Sequence, residues 1–156
     1  MSGSLRRLDR ADGAAILAHL RGLDADDRAA RFGHPVDECA LAAYVDRLPL
    51  ACACLLGRFD GAGALVGLAH LGPPDAHAEF GLSVLPAWRR QGVATALLEA
   101  LAHTAAALGV VRLVCLHGHP AVLRAAARCH LPVQRTFTAP RALITLPAPG
   151  RPQQFT

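Results

Sequence analysis

The stretch Val84-Leu85-Pro86-Ala87-Trp88-Arg89-Arg90-Gln91-Gly92-Val93-Ala94-Thr95-Ala96-Leu97-Leu98 decides the architecture. A short extended run, Ala78 to Val84, meets a proline; a basic turn follows, and a helix opens at a glycine. That order builds an anion site. The first backbone N–H groups of a helix have no intrahelical partner and lie at the positive end of its dipole. Gly92 has no side chain and Ala94 only a methyl, so a bulky phosphate can reach the backbone closely. Arg89 and Arg90 add full charge at the same point. The segment reads as a pyrophosphate cradle. It is not a Walker loop, because no Gly-Lys-Ser/Thr closes it, and it lacks the G-x-G-x-x-G spacing of the dinucleotide fingerprint. The competing reading is an ordinary strand–turn–helix with a solvated arginine pair.

Upstream, Leu5 to Leu8 reads as a short strand and Ala11 to Leu20 as a helix with Ile16, Leu17 and Leu20 on one face. Asp24 is an N-cap for a short turn through Arg31, and Asp37 caps a helix that Pro49 closes. Ala51 to Phe59, Ala64 to Leu71 and Ala78 to Val84 form a three-strand meander, turned at Asp60-Gly61-Ala62-Gly63 and at Gly72-Pro73-Pro74-Asp75. Gly92 to Leu108 is a long helix with Val93, Leu97, Leu101 and Leu108 as its buried stripe and Gly109 as its C-cap. Val111 to Leu116 is apolar enough for a central strand. A helix runs from His119-Pro120 through Arg128, and Val133 to Thr138 and Ala142 to Leu146 close the sheet.

The chain has 156 residues, a length that suits one domain with one core. We take 1–147 as that domain and 148–156 as a Pro-rich tail. Hydrophobic residues make up 53% but aromatics only 4%, so the core must be built from Ala, Leu and Val. No apolar run reaches the ~18 residues that a membrane span needs, and the start shows no apolar signal core; the expectation is a cytoplasmic protein with no membrane partner. Cys39, Cys52, Cys54, Cys115 and Cys129 are odd in number and lack the spacing of a disulfide framework. The net charge is +4, with arginine as the only basic residue type beside histidine. A polyanionic cofactor accounts for it, and no basic block with interleaved aromatics points to nucleic acid. Exposed strand edges leave a homodimer open.

Arg89-x-x-Gly92-x-Ala94 resembles the Arg/Gln-x-x-Gly-x-Gly/Ala signature of the GNAT superfamily of N-acetyltransferases. Glu79-x-x-Leu82-x-Val84-x-Pro86 looks like that family's fourth strand, and the resemblance extends from about Leu5 to Leu146. It implies an α/β (α+β) fold: a mixed, mostly antiparallel sheet of six to seven strands flanked by helices. The sheet would splay between the fourth and fifth strands, here Ala78–Val84 and Val111–Leu116.

The resemblance also implies acetyl-coenzyme A as co-substrate. Its pyrophosphate would sit on the N–H groups of Gln91, Gly92, Val93, Ala94 and Thr95, beside Arg89 and Arg90. Its amide-rich arm would add to the strand edge at Leu82, Ser83 and Val84, where a backbone N–H would receive the thioester carbonyl. Amine attack needs a neutral nitrogen, and a lysine amine is neutral in only roughly one molecule in 2,500 at pH 7. Glu79 is the candidate base, with His70 and His77 as alternatives. Where many family members carry a tyrosine, this chain has Ala126, and His119 stands for an asparagine that would bond the cofactor's arm. His117-Gly118-His119 offers too few ligands for a metal. The segment Leu20 to Phe32 resembles one in bacterial protein-lysine acetyltransferase domains, which favours a protein lysine as acceptor. A small amine or aminoglycoside is the runner-up; a non-catalytic acetyl-coenzyme A sensor is the reading from a different class.

Overall fold

The computed structural model describes residues 3–136 and 140–148. Its strands are β1 (Leu5–Arg7), β2 (Cys54–Phe59), β3 (Leu65–Leu71), β4 (His77–Val84), β5 (Arg112–Cys115), β6 (Val133–Arg135) and β7 (Ala142–Thr145). They join in one seven-stranded sheet of order β1-β2-β3-β4-β5-β7-β6. Neighbours are antiparallel except β4 and β5, which run parallel. β2 and β3 are buried over nearly their whole length, as apolar strands covered on both faces must be.

Helices cover the two faces. On one lie α1 (Gly13–Arg21), α2 (Ala25–Phe32) and α3 (Glu38–Ala51). Here Ile16, Leu20, Leu41, Val45 and Leu48 pack with Leu55, Phe59 and Leu68. On the other face α4 (Val93–Ala107) and α5 (Pro120–Arg128) enclose a second cluster with Leu56, Ala69, Leu71, Phe80 and Leu113. The core is thus aliphatic, with side chains of roughly 1.5–3 kcal/mol each on burial. The Asp24 and Asp37 caps form as expected: each side chain accepts a backbone N–H three residues on, at 2.8 Å.

Three expectations are corrected. Pro49 does not close α3, which runs on to Ala51. Proline removes only its own donor, and the bond from Cys52 N–H to Leu48 O at 3.1 Å carries the helix past it. Leu108 is not in the α4 stripe; it is 45% exposed because the helix ends there, Gly109 taking φ +85° and Val110 N–H bonding back to Ala105 O. Val111 is likewise exposed, the strand starting one residue later at Arg112. The expected strand end at Thr138 and nearly all of the tail lie outside the described residues.

Candidate active site

β4 and β5 pair only at His77–Arg112, Ala78–Leu113 and Glu79–Val114. From Phe80 to Val84, β4 pairs with β3 alone. The expected splay therefore opens at Glu79. The hydrogen-bond phase of β4 decides what faces it. Glu79 O accepts from Gly72 N–H at 2.8 Å, and Leu85 N–H donates to Val66 O at 2.9 Å. Odd-numbered residues thus turn their backbone groups to β3, and the even-numbered Phe80, Leu82 and Val84 turn theirs to the splay. Of the three residues expected to meet the cofactor's arm, Leu82 and Val84 turn backbone groups to the splay, whereas Ser83 turns its own to β3 and its hydroxyl is buried against His19.

The turn after β4 leads to α4, whose N-cap is Gly92 at φ +81° with no side-chain cap. The first intrahelical bond is Ala96 N–H to Gly92 O at 3.0 Å, so the N–H groups of Val93, Ala94 and Thr95 have no partner in the helix. Nothing lies within 4 Å of where a Gly92 Cβ would stand. Gln91 Nε2 donates to Ala87 O at 3.0 Å, and this contact shapes the turn. Arg90 is exposed and makes no ion pair with a described residue. Arg89 is engaged: its Nη2 meets Asp27 Oδ2 at 2.5 Å, and its Nε donates to Val84 O at 3.2 Å. It ties α2 to the mouth of the splay, so only Arg90 of the pair is uncommitted.

Side chains of β4 alternate across the sheet. Ala78 and Phe80 pack under α4, whereas Glu79, Gly81 and Ser83 point to the α1–α3 face. Glu79 is exposed, its carboxylate makes no hydrogen bond with a described residue, and it sits where β4 and β5 part. Beside it, a Cβ on Gly81 would collide with His70 and with the Arg31 guanidinium, so only glycine fits there. Arg31 donates from Nη2 to the Tyr44 hydroxyl at 2.9 Å and to His70 Nδ1. A guanidinium only donates, so His70 Nδ1 accepts and its proton lies on Nε2. Burial, and then the Arg31 charge, hold His70 well below the usual histidine range. His70 is therefore a neutral donor with no free lone pair for an acceptor's proton, which removes it as a base. His77 is exposed at the far end of β4.

His19 shows what burial does on this face. Its Nδ1 lies 3.0 Å from Leu65 O and its Nε2 lies 2.8 Å from Ser83 Oγ. Because a carbonyl only accepts, Nδ1 carries the proton and Nε2 takes the Ser83 hydroxyl. Burial drives its pKa down to about 4, opposed by the carbonyl bond and helped by the Arg31 charge. The unfolded chain takes up a proton near pH 6.5 that the folded one refuses. The stability is therefore present above that pH and lost, at about 1.4 kcal/mol per pH unit, as pH falls toward 4. We expect the melting temperature to drop steeply across this window and His19→Gln to flatten the drop; parallel curves would contradict the assignment. His70 adds to the same slope in both proteins.

His119 caps α5, its Nδ1 accepting from Ala121 N–H at 3.2 Å, as an asparagine cap would. Ala126 is fully buried, so the position where many relatives have a tyrosine is core here. Among the described residues no group of three or more His, Cys, Asp or Glu is placed to hold a metal. No helix among them is long and apolar enough to cross a membrane.

A parallel pair that splays beside an uncapped helix start sets a free strand edge next to an anion-binding set of amides. The family model for the acetyltransferase (GNAT) family matches residues 19–131, and the chain belongs to that family. Comparison with curated proteins gives no match. Among solved structures, the GNAT domain of S. lividans PAT superimposes with a TM-score of 0.74 at 19% identity, over 91% of this chain and 88% of that one. YncA of Salmonella typhimurium, solved with its cofactor acetyl-CoA, gives 0.66 at 19% identity over 99% and 100%. A phosphinothricin acetyltransferase of Sinorhizobium meliloti in complex with AcCoA gives 0.66 at 16% over 99% and 95%. At these identities the likeness is one of fold.

Proposed function

We propose that the chain moves an acetyl group from acetyl-coenzyme A to a primary amine, by direct attack in a ternary complex, and that the amine is a protein lysine. The observation that carries this is the meeting, at one end of β4, of two sets of backbone N–H groups without a partner among the described residues. The amides of Val93, Ala94 and Thr95 start α4, and those of Leu82 and Val84 face the splay. The first set suits a diphosphate and the second an amide-rich arm. Two neighbours of the same fold were solved with acetyl-CoA, which supports the choice of ligand. The open space at Gly92 fits a phosphate, and the pairing of Arg89 with Asp27 leaves Arg90 to supply the side-chain charge.

When bound, the thioester supplies an activated acetyl group. The chain's part is to hold the arm on β4 and to offer an N–H of Leu82 or Val84 to the carbonyl oxygen on which charge develops. Glu79 takes the acceptor's proton, directly or through water, worth about 10²–10⁴ in rate. A thiolate leaving group with a pKa near 8.5 departs without an obligatory acid, which is consistent with Ala126. The likeness of Leu20 to Phe32 to protein-lysine acetyltransferase domains supports the acceptor.

Thermal shift with acetyl-coenzyme A and thiol release with lysine peptides, polyamines and aminoglycosides test the reading. Stabilisation together with release on lysine peptides is expected. Stabilisation with no release on any amine would instead mark a sensor.

A further inference from the structure

The face of β4 that carries Glu79 also carries a cation without an anion. Arg31 lies in the last turn of α2, over Gly81. Its two hydrogen-bond partners, the Tyr44 hydroxyl and His70 Nδ1, are both neutral. Among the described residues its buried Nε has no partner, and its Nη1, which is not sealed from solvent, makes no hydrogen bond. The ion pairs among the described residues use Arg6, Arg21, Arg28 and Arg89, never Arg31. Of the acids on the neighbouring helices, Asp27 pairs with Arg89, Glu38 with Arg21 and Arg28, and Asp24 and Asp37 cap helices; Asp26 and Asp46 make no ion pair with Arg31.

A part-buried guanidinium held by neutral groups keeps most of its charge unanswered, and an anion that reaches it is bound strongly. Its Cζ also lies over the Phe32 and Tyr44 rings, 5.1 Å and 5.8 Å from their centroids, so its other neighbours are neutral as well. His117 reaches Gly33 at the end of α2, which places Arg31 beside the wall formed by the loop after β5. Positions 79 and 81 share a face about 7 Å apart along the strand. A base and a cation so placed engage the two ends of one acceptor.

We propose that Arg31 anchors a carboxylate of the acceptor, so that the substrate class is an amine with a carboxylate close to the nitrogen. A free amino acid and a lysine beside an acidic residue both present this chemistry. The inference rests on the acetyl-transfer reading for the amine end only; its anion end is tested by binding.

The experiment is calorimetric titration, with coenzyme A present, of wild type and Arg31→Gln with a panel of N-acetyl amino acids and their neutral amides. Lysine peptides with Glu or Gln beside the lysine form a second arm. We expect wild type to prefer acid over amide at least tenfold in one arm, which names the source, and Arg31→Gln to lose that preference while binding the neutral ligands unchanged. Arg31→Lys should restore part of it, because charge remains without the fork. No acid preference in either arm, or a preference that survives in Arg31→Gln, would overturn the proposal. Equal loss for acids and amides would reduce Arg31 to a staple between α2, α3 and β3. If Arg31→Gln does not fold, the acid-to-amide ratio of wild type decides. Arg31-dependent carboxylate binding without thiol release on any amine would leave this inference standing and remove acetyl transfer.

Discussion

Replacing Glu79 with glutamine is expected to lower the transfer rate at neutral pH by about 10²–10⁴-fold and to leave the affinity for acetyl-coenzyme A unchanged. The substitution keeps the size and hydrogen-bonding reach of the side chain and removes only its ability to take a proton. The side chain contacts neither the α4 amides nor the even-numbered edge of β4, so cofactor binding has no reason to respond. Because the Glu79 side chain is exposed and its carboxylate makes no hydrogen bond with a described residue, stability should not change either. Single-turnover rates with saturating cofactor and acceptor measure the effect. A rate near wild type at pH 7 would eliminate Glu79. With the lone pair of His70 Nδ1 already accepting from Arg31, His77 or solvent would remain.

Replacing Gly92 with valine is expected to weaken acetyl-coenzyme A binding roughly tenfold or more, about 1.4 kcal/mol. Two effects act at once. The left-handed φ of +81° strains any β-branched residue. The isopropyl group would also fill the open space beside the α4 amides. Gly92→Ala separates them, since it shares the backbone penalty but adds only a methyl. Affinity by calorimetry should fall in the order Gly, Ala, Val, whereas the loss of melting temperature should begin with Ala. Equal affinities across the three would show that no phosphate approaches this turn.

What could be read in the sequence was local. A proline, two arginines and a glycine before an apolar 3.6-residue stripe specify a strand, a turn and an uncapped helix start, and these stand where expected. The backbone phase of β4 was not legible. It depends on the register with β3, and it separates Leu82 and Val84 from Ser83 although all three are adjacent. Nor was the pairing of Arg89 with Asp27, two residues 62 positions apart that only the packing of α2 against β4 brings together. In the sequence Arg31 marks only the end of a short turn capped at Asp24. The signal that could have found it was Gly81, a lone glycine in the interior of a strand, which marks a close approach. The pairing of His19 with Ser83 was not legible for a similar reason: each is a single polar residue among apolar neighbours, and only the fold makes them partners.

The central claim is that amides at the start of α4 hold the diphosphate of a coenzyme A thioester, and a crystal structure of the chain with coenzyme A tests it directly. The account predicts phosphate oxygens within hydrogen-bond distance of the N–H groups between Gln91 and Thr95, with the arm laid along Leu82 and Val84. A nucleotide seated in another cleft, with this turn empty, would contradict it.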